Sequence, residues 1–524
     1  MLYQERLPDL LVAATVITPL QLAGLDVDAF LLEFPAATIT TAPSPVAVLI
    51  AACVVNKQEP EPPRLRLSTR AGLGLEGAPG TAPPAATTTT IPASTSSTEA
   101  ATPTSGNPVV AGPDPAATGD GYTITPIGDR VYNVFHHNTA QLTCSLKSKP
   151  VSCFDGGVVG YYFLRKDGAT APTALTAGDA AVQVGMRSVV THDAATNRMW
   201  IVGTDQVEGV SIGTQGGFAC MDLSTSPPTA CPTAWVPTGK AVMESQTGYP
   251  DINFVGSDTA RRRIYSIDQD YDVHCLDMST SALCSGWAVT HNAFPTIPGS
   301  ALASQGVASL MPGTTKIVIA GHDTNSSAYG VDYVTCIDSV SGARCTGWPA
   351  DPIVLPGESP SSAVTGFPFP KFDAGVTTPS AVCLYQGSVG ISQWWEMQAG
   401  SLSVSCVSLA NGNSDGVPPN FANSLPADTT LTPGGLMVGD WALTANGRMY
   451  QTWLNNATGA DRWTCYDFKT GDACSGWANG LDVSGATWDM PYGVTVDDVL
   501  PNCIWSLGDQ GYRRPFNAIT GGAC

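Results

Sequence analysis

The sequence predicts an all-β fold, a seven-bladed β-propeller carried on a disordered N-terminal stalk. Three observations support it: a hairpin motif that recurs about every sixty residues beyond Gly121, cysteines placed in register with that motif, and a composition suited to short strands and turns. Only 13% of the residues are charged, while 54 glycines and 41 prolines punctuate the chain. Helices would need more Glu, Lys and Leu at helical spacing.

The motif is clearest where Cys275 and Cys284 precede Trp287, Cys336 and Cys345 precede Trp348, and Cys465 and Cys474 precede Trp477. Cys220 and Cys231 precede Trp235 across a longer turn, and Cys144 with Cys153 lacks the tryptophan. Two degenerate copies complete the set, from Cys406 to Asp415 and from Pro515 to Cys524. Each copy reads as a strand, a turn of the Ser/Thr-Gly type and a returning strand. The Asp after the first cysteine can bond its own turn, and Gly tolerates positive φ.

A second register lies upstream of each hairpin. Arg130, Arg198, Arg263, Lys316, Cys383, Arg448 and Cys503 each begin an aligned strand. The two strands that begin with cysteine belong to the two repeats whose hairpin has lost one. The predicted pairs are therefore Cys144–Cys153, Cys220–Cys231, Cys275–Cys284, Cys336–Cys345, Cys383–Cys406, Cys465–Cys474 and Cys503–Cys524. Of the fifteen cysteines, Cys53 is left over. With no CxxC or paired His/Cys ligand spacing, metal cofactors of the zinc, haem and iron–sulfur kinds drop out. Structural disulfides point to a secreted or cell-surface protein.

Three regions follow. Residues 1–55 form an apolar N-terminal segment, read as an export or anchor signal or as sequence ahead of the true start. Its run Ile50-Ala51-Ala52-Cys53 resembles a lipobox, so Cys53 is the candidate for lipidation and the one expected route to a membrane. Residues 56–120 are a Thr/Pro/Ala-rich linker that cannot bury a core, with 107–112 as a candidate closing strand. Residues 121–524 are the propeller.

The consensus C-x-D-x-x-T-G-x-x-C-x-G-W resembles the PQQ-like and outer-surface propeller repeat. Asp467, Thr470 and Gly471 match that pattern, while Trp477 arrives late, after the inserted Cys474. The cysteine-clamped form is similar to repeats in uncharacterised secreted proteins of high-GC bacteria. The resemblance identifies a blade rather than an activity. PQQ enzymes of this type have eight blades and adjacent cysteines at the cofactor, and this chain has no Cys-Cys dipeptide.

Candidate chemistry is sparse. His192 and His322 follow comparable strands and could share the central channel. Asp268, Asp270 and Asp272 alternate as hard oxygen ligands for Ca2+ would, without the Gly and distal Glu of an EF-hand. Trp394, Trp395 and Glu396 interrupt the fifth repeat and suit sugar stacking or a protein contact. The recurring Trp287, Trp348 and Trp477 are expected to pack between blades. The GxSxG strings around Ser211 and Ser414 fall in Gly-rich turns instead of ahead of a helix. A net charge of −20 disfavours nucleic acid. The expected function is an extracellular binding or adhesion propeller for a glycan or protein, with no confident cofactor. The alternatives are a secreted hydrolase or lyase acting on a polymer, and a self-associating filament subunit.

Overall fold

The computed structural model describes residues between Ala111 and Asn517, less several intervening stretches. The segment 1–55 with Cys53, most of the linker, and Cys524 lie outside the described residues. What is described is mostly antiparallel strand joined by turns, and it forms a β-propeller.

The described residues form seven sheets. Their first two principal strands, in chain order, are Asp120–Ile127 with Arg130–His136; Thr191–Asp193 with Arg198–Val207; and Ile252–Asp258 with Arg263–Asp268. Then come Val307–Leu310 with Lys316–His322, Ser362–Lys371 with Ala381–Ser388, Leu436–Leu443 with Arg448–Asn455, and Gly493–Val496 with Cys503–Leu507. The innermost strands touch in succession. Asp120–Ile127 packs on Gly493–Val496, which packs on Leu436–Leu443, then Ser362–Lys371, Val307–Leu310 and Ile252–Asp258. Ile252–Asp258 meets Arg198–Val207, and Ala180–Gln183 of that sheet meets Tyr161–Leu164 of the first, closing the circuit.

Alternation along the strands supplies the glue between sheets. In Lys316–His322, Ile317 and Ile319 join the core shared with the third sheet, while Val318 and Ala320 join the core shared with the fifth. Both faces are buried, so these strands are nearly continuous apolar runs. Full burial of each such side chain stabilises by roughly 1.5–3 kcal/mol.

The hairpin motif explains the seams. Trp287 Nε1 donates to the Val340 carbonyl at 3.3 Å, and Trp348 Nε1 donates to Leu409 at 3.0 Å, each in the next sheet. Two of the aligned basic residues do the same: Arg263 bonds the carbonyls of Ser339 and Val340, and Lys316 bonds that of Leu409, whereas Arg448 bonds Asp467 within its own sheet. Gly347, at φ 89°, lets the chain approach so closely that a Cβ there would lie 2.5 Å from the Ala410 carbonyl. The Gly-Trp pair is thus a docking element.

Among the described residues, six disulfides clamp six of the sheets: Cys144–Cys153, Cys220–Cys231, Cys275–Cys284, Cys336–Cys345, Cys383–Cys406 and Cys465–Cys474. Cys383 and Cys406 sit directly opposite each other on neighbouring strands, with Cα atoms 4.0 Å apart. The expectation of seven self-contained clamped blades is corrected to six. The last sheet is composite. The final repeat supplies only Gly493–Val496, Cys503–Leu507 and Tyr512–Asn517, and its outer edge is completed by Ala111–Pro113 from the other end of the chain. Cys503 is disulfide-bonded, and its expected partner Cys524 lies outside the described residues. The closing strand begins near the end of the expected 107–112 and includes Pro113.

Candidate functional site

Antiparallel order gives the sheets two unlike ends. First and second strands join through tight turns, such as 128–129, 259–262 and 444–447, and so do the third and fourth, as at 278–281 and 409–413. Second and third strands join at the opposite end through 208–214, 323–331 and 389–402, and the links between sheets leave from that end too, including 238–251 and 284–306. One face of the ring is therefore a hairpin face and the other a connection face.

This division sorts the candidates. His192 lies opposite Met199, in the hairpin end of the second sheet, and its Nε2 contacts Asn197 Oδ1 at 3.2 Å. His322 is the last residue of its strand, opposite Asp332, at the connection end of the fourth sheet. The expected channel pair is corrected: the two histidines occupy opposite faces, because His192 lies at the hairpin end of a first strand and His322 at the connection end of a second strand. Trp394 and Trp395 lie outside the described residues. Glu396 pairs with Met437, so that Glu396–Met397, which belongs to the fifth repeat, adds to the sixth sheet on its axial edge.

Asp268, Asp270 and Asp272 sit at the connection end of the third sheet, in the turn between its second and third strands. Asp268 organises this turn. Its Oδ1 accepts the backbone N–H of Asp270 and Asp272, both at 3.0 Å, and its Oδ2 lies 2.9 Å from His274 Nε2. Tyr271 takes φ 60°, and its N–H reaches the Asp268 carbonyl at 3.0 Å. Its ring meets Phe294 edge-on at 5.2 Å, and both rings cover Gly321, where a Cβ would lie 2.9 Å from Phe294. The turn thus docks on the fourth sheet beside the backbone of His322. One carboxylate oxygen from each of the three aspartates lies within 4.8 Å of those of the other two.

His274 was not singled out by the sequence, although its signal is there. In RIYSIDQDYDVHCLD, polar side chains at Ser266, Asp268, Asp272 and His274 interrupt otherwise apolar strands at alternate positions. The connection face also carries a buried polar relay between sheets. Gln386 donates to Asp332 at 3.1 Å, and Tyr385 donates to Gln451 at 2.5 Å. Burial pushes the Tyr385 phenol well above its ordinary range.

On the hairpin face, Arg262 grips Asp193 with two bonds, at 3.0 and 2.6 Å, joining the third sheet to the second. Burial would raise the Asp193 carboxyl, but the Arg262 and Thr196 bonds hold it below the usual range. A cavity of about 210 Å³ opens there between the fifth and sixth sheets, lined by Phe372, Val376, Leu443, Asn446, Phe468 and Lys469. Ser414 falls in a two-residue strand that does not turn directly into a helix, which is not a nucleophile elbow. Ser211 lies outside the described residues. Among the described residues, no helix is long and apolar enough to cross a membrane.

No family model matches the chain, and no curated protein matches it. Among solved structures, the computationally designed Ika8 protein is similar at 11% identity and TM-score 0.36, over 77% of this chain and 98% of that one. A chain of the Mitotic Checkpoint Complex is similar at 10% and 0.39, over 86% and 100%. A chain of the complex of KlAtg21 with the coiled coil of AgAtg16 is similar at 10% and 0.42, over 78% and 97%. Likenesses this loose carry no argument about function.

Proposed function

We propose that the chain is a secreted or cell-surface binding propeller whose connection face engages a glycan or a protein. The asymmetry of the two faces carries this reading. Mostly tight, self-bonded turns occupy the hairpin face, with 372–380 of the fifth sheet the longer exception, whereas the longest connections, including 284–306, 238–251 and 389–402 with Trp394, Trp395 and Glu396, leave from the connection face. Binding residues concentrate on variable connections held by a rigid scaffold, and six disulfides supply the rigidity and fit an oxidising compartment. In this reading the composite last sheet counts as a seventh blade, and the repeat is of the PQQ-like, outer-surface type. The closing strand comes from the same chain, so we do not adopt the filament reading, which would need a strand lent between chains.

A glycan array and a panel of extracellular proteins, probed with the full chain, test the proposal. Ser403→Arg and Val354→Arg, at exposed connection-end positions, are expected to weaken the interaction found. Arg261→Glu and Val499→Asp, on exposed hairpin turns, are expected to leave it intact. The reverse pattern rejects the assignment of the face.

A further inference from the structure

At its connection end the third sheet carries a square of polar side chains on one face. Ser266 lies directly opposite His274, and one step further out the Asp268 N–H bonds the Asp272 carbonyl at 3.1 Å. Residues two apart on a strand, and the residues opposite them, share a face, so these four project together. Ser266 is 0% exposed, and Asp268, Asp272 and His274 are each 2% exposed. One diagonal of the square is the bond from His274 to Asp268. On the other, the Ser266 hydroxyl has no hydrogen-bond partner.

The same face packs on the second sheet, where Ile264 and Leu276 meet Trp200 and Val202. Thr204 continues the alternation of Trp200 and Val202 toward the connection end. It too is fully buried, and its Oγ1 has no hydrogen-bond partner. Two buried hydroxyls without partners thus line opposite walls of one seam, beside two buried carboxylates and the exposed Asp270. An unpaired buried hydroxyl is costly, so such atoms mark a place where something else belongs.

We infer that this seam between the second and third sheets is a calcium site. Asp268, Asp270 and Asp272 supply the carboxylates, Ser266 and Thr204 supply hydroxyl oxygens, and His274 positions Asp268. Calcium takes oxygen ligands at about 2.3–2.6 Å, which puts ligands on opposite sides of the ion roughly 5 Å apart. Carboxylate oxygens within 4.8 Å of one another fit one shared ion. The one nitrogen in the square is engaged with Asp268, so the donors left are oxygens, which favours a hard cation over zinc or copper. Magnesium, held at about 2.0–2.1 Å in a strict octahedron, suits this spread less well.

The test uses the full chain, purified with its disulfides intact, stripped with EDTA and titrated with calcium chloride alone. Calorimetry should show one class of site, and the melting temperature should rise by several degrees in calcium and much less in magnesium. Asp270→Asn should weaken calcium binding about tenfold or more, because ligand charge sets affinity at such sites, while leaving the EDTA melting temperature unchanged. Ser266→Ala separates a ligand from a merely buried hydroxyl. The variant should melt at the same temperature as the parent or higher in EDTA, yet bind calcium more weakly. No heat and identical melting in EDTA and calcium would overturn the site. Equal responses to magnesium would overturn the choice of ion. Calcium binding untouched by either substitution would place the ion elsewhere and also overturn the site.

Discussion

Asp497 joins the two ends of the sheet circuit. Its Oδ1 accepts Lys147 Nζ from the first sheet at 2.7 Å, together with the N–H groups of Val499 and Leu500, and its Oδ2 accepts Trp505 Nε1 at 2.8 Å. Burial alone would raise its carboxyl, but these bonds hold it below the ordinary value. The unfolded chain would titrate near pH 3.9. Because the folded value is the lower one, the contribution is complete above the unfolded value and is lost as pH falls through the folded one. Urea midpoints should drop as pH falls below about 4, and Asp497→Asn should flatten part of that drop while costing about 2–4 kcal/mol at pH 7. A second residue-scale prediction concerns Gly412. At φ 74°, a Cβ there would lie 2.1 Å from Ile353 and 3.2 Å from Trp348. Gly412→Ala should cost about 2 kcal/mol or more through strain and contact together, read as a lower melting temperature.

Among the elements, the clamps divide by where they sit. Four hairpin bridges span nine residues, that of the second sheet spans eleven, and Cys383–Cys406 spans 23. Chain entropy makes the longer loop the stronger constraint by about 1 kcal/mol. The Cys383→Ser/Cys406→Ser pair should therefore destabilise more than Cys275→Ser/Cys284→Ser in matched denaturant melts. This element was legible in sequence because a basic residue had become cysteine in the same repeat that had lost one from its hairpin. The turn at Asp268 was legible only in part. Its aspartates stood out, whereas Ser266 and His274 needed the register that sets them opposite each other. His192 and His322 misled because the similar His-Asp pairs that suggested comparable strands fall in a first strand in one sheet and after a second strand in the other. The pairing of Glu396 with Met437 joins two repeats through two residues, too short a segment to leave a periodic signal.

For the whole molecule, the repeat announced the ring, and the hairpin chemistry announced its seams. The composite last sheet was harder to read, because it depends on Ala111–Pro113 meeting Tyr512–Asn517. A chain beginning at Gly121 should melt several degrees below one that keeps residues 105–120, since it leaves an outer edge open. Equal melting of the two would show that this pairing adds little to the fold. The ligand stayed illegible for a physical reason. A scaffold is written as a repeated pattern, whereas a binding surface is made of the unrepeated connections.

The closing strand also dictates an order of events. Ala111 and Arg513 are partners, separated by nearly the whole described chain, and contacts of that span form late because a long loop must close before they contribute. The clamped sheets are each local, so they can fold and oxidise one by one. Ring closure is expected to come last, and until it does, the first and last sheets each present an unpaired face to whatever the chain next encounters.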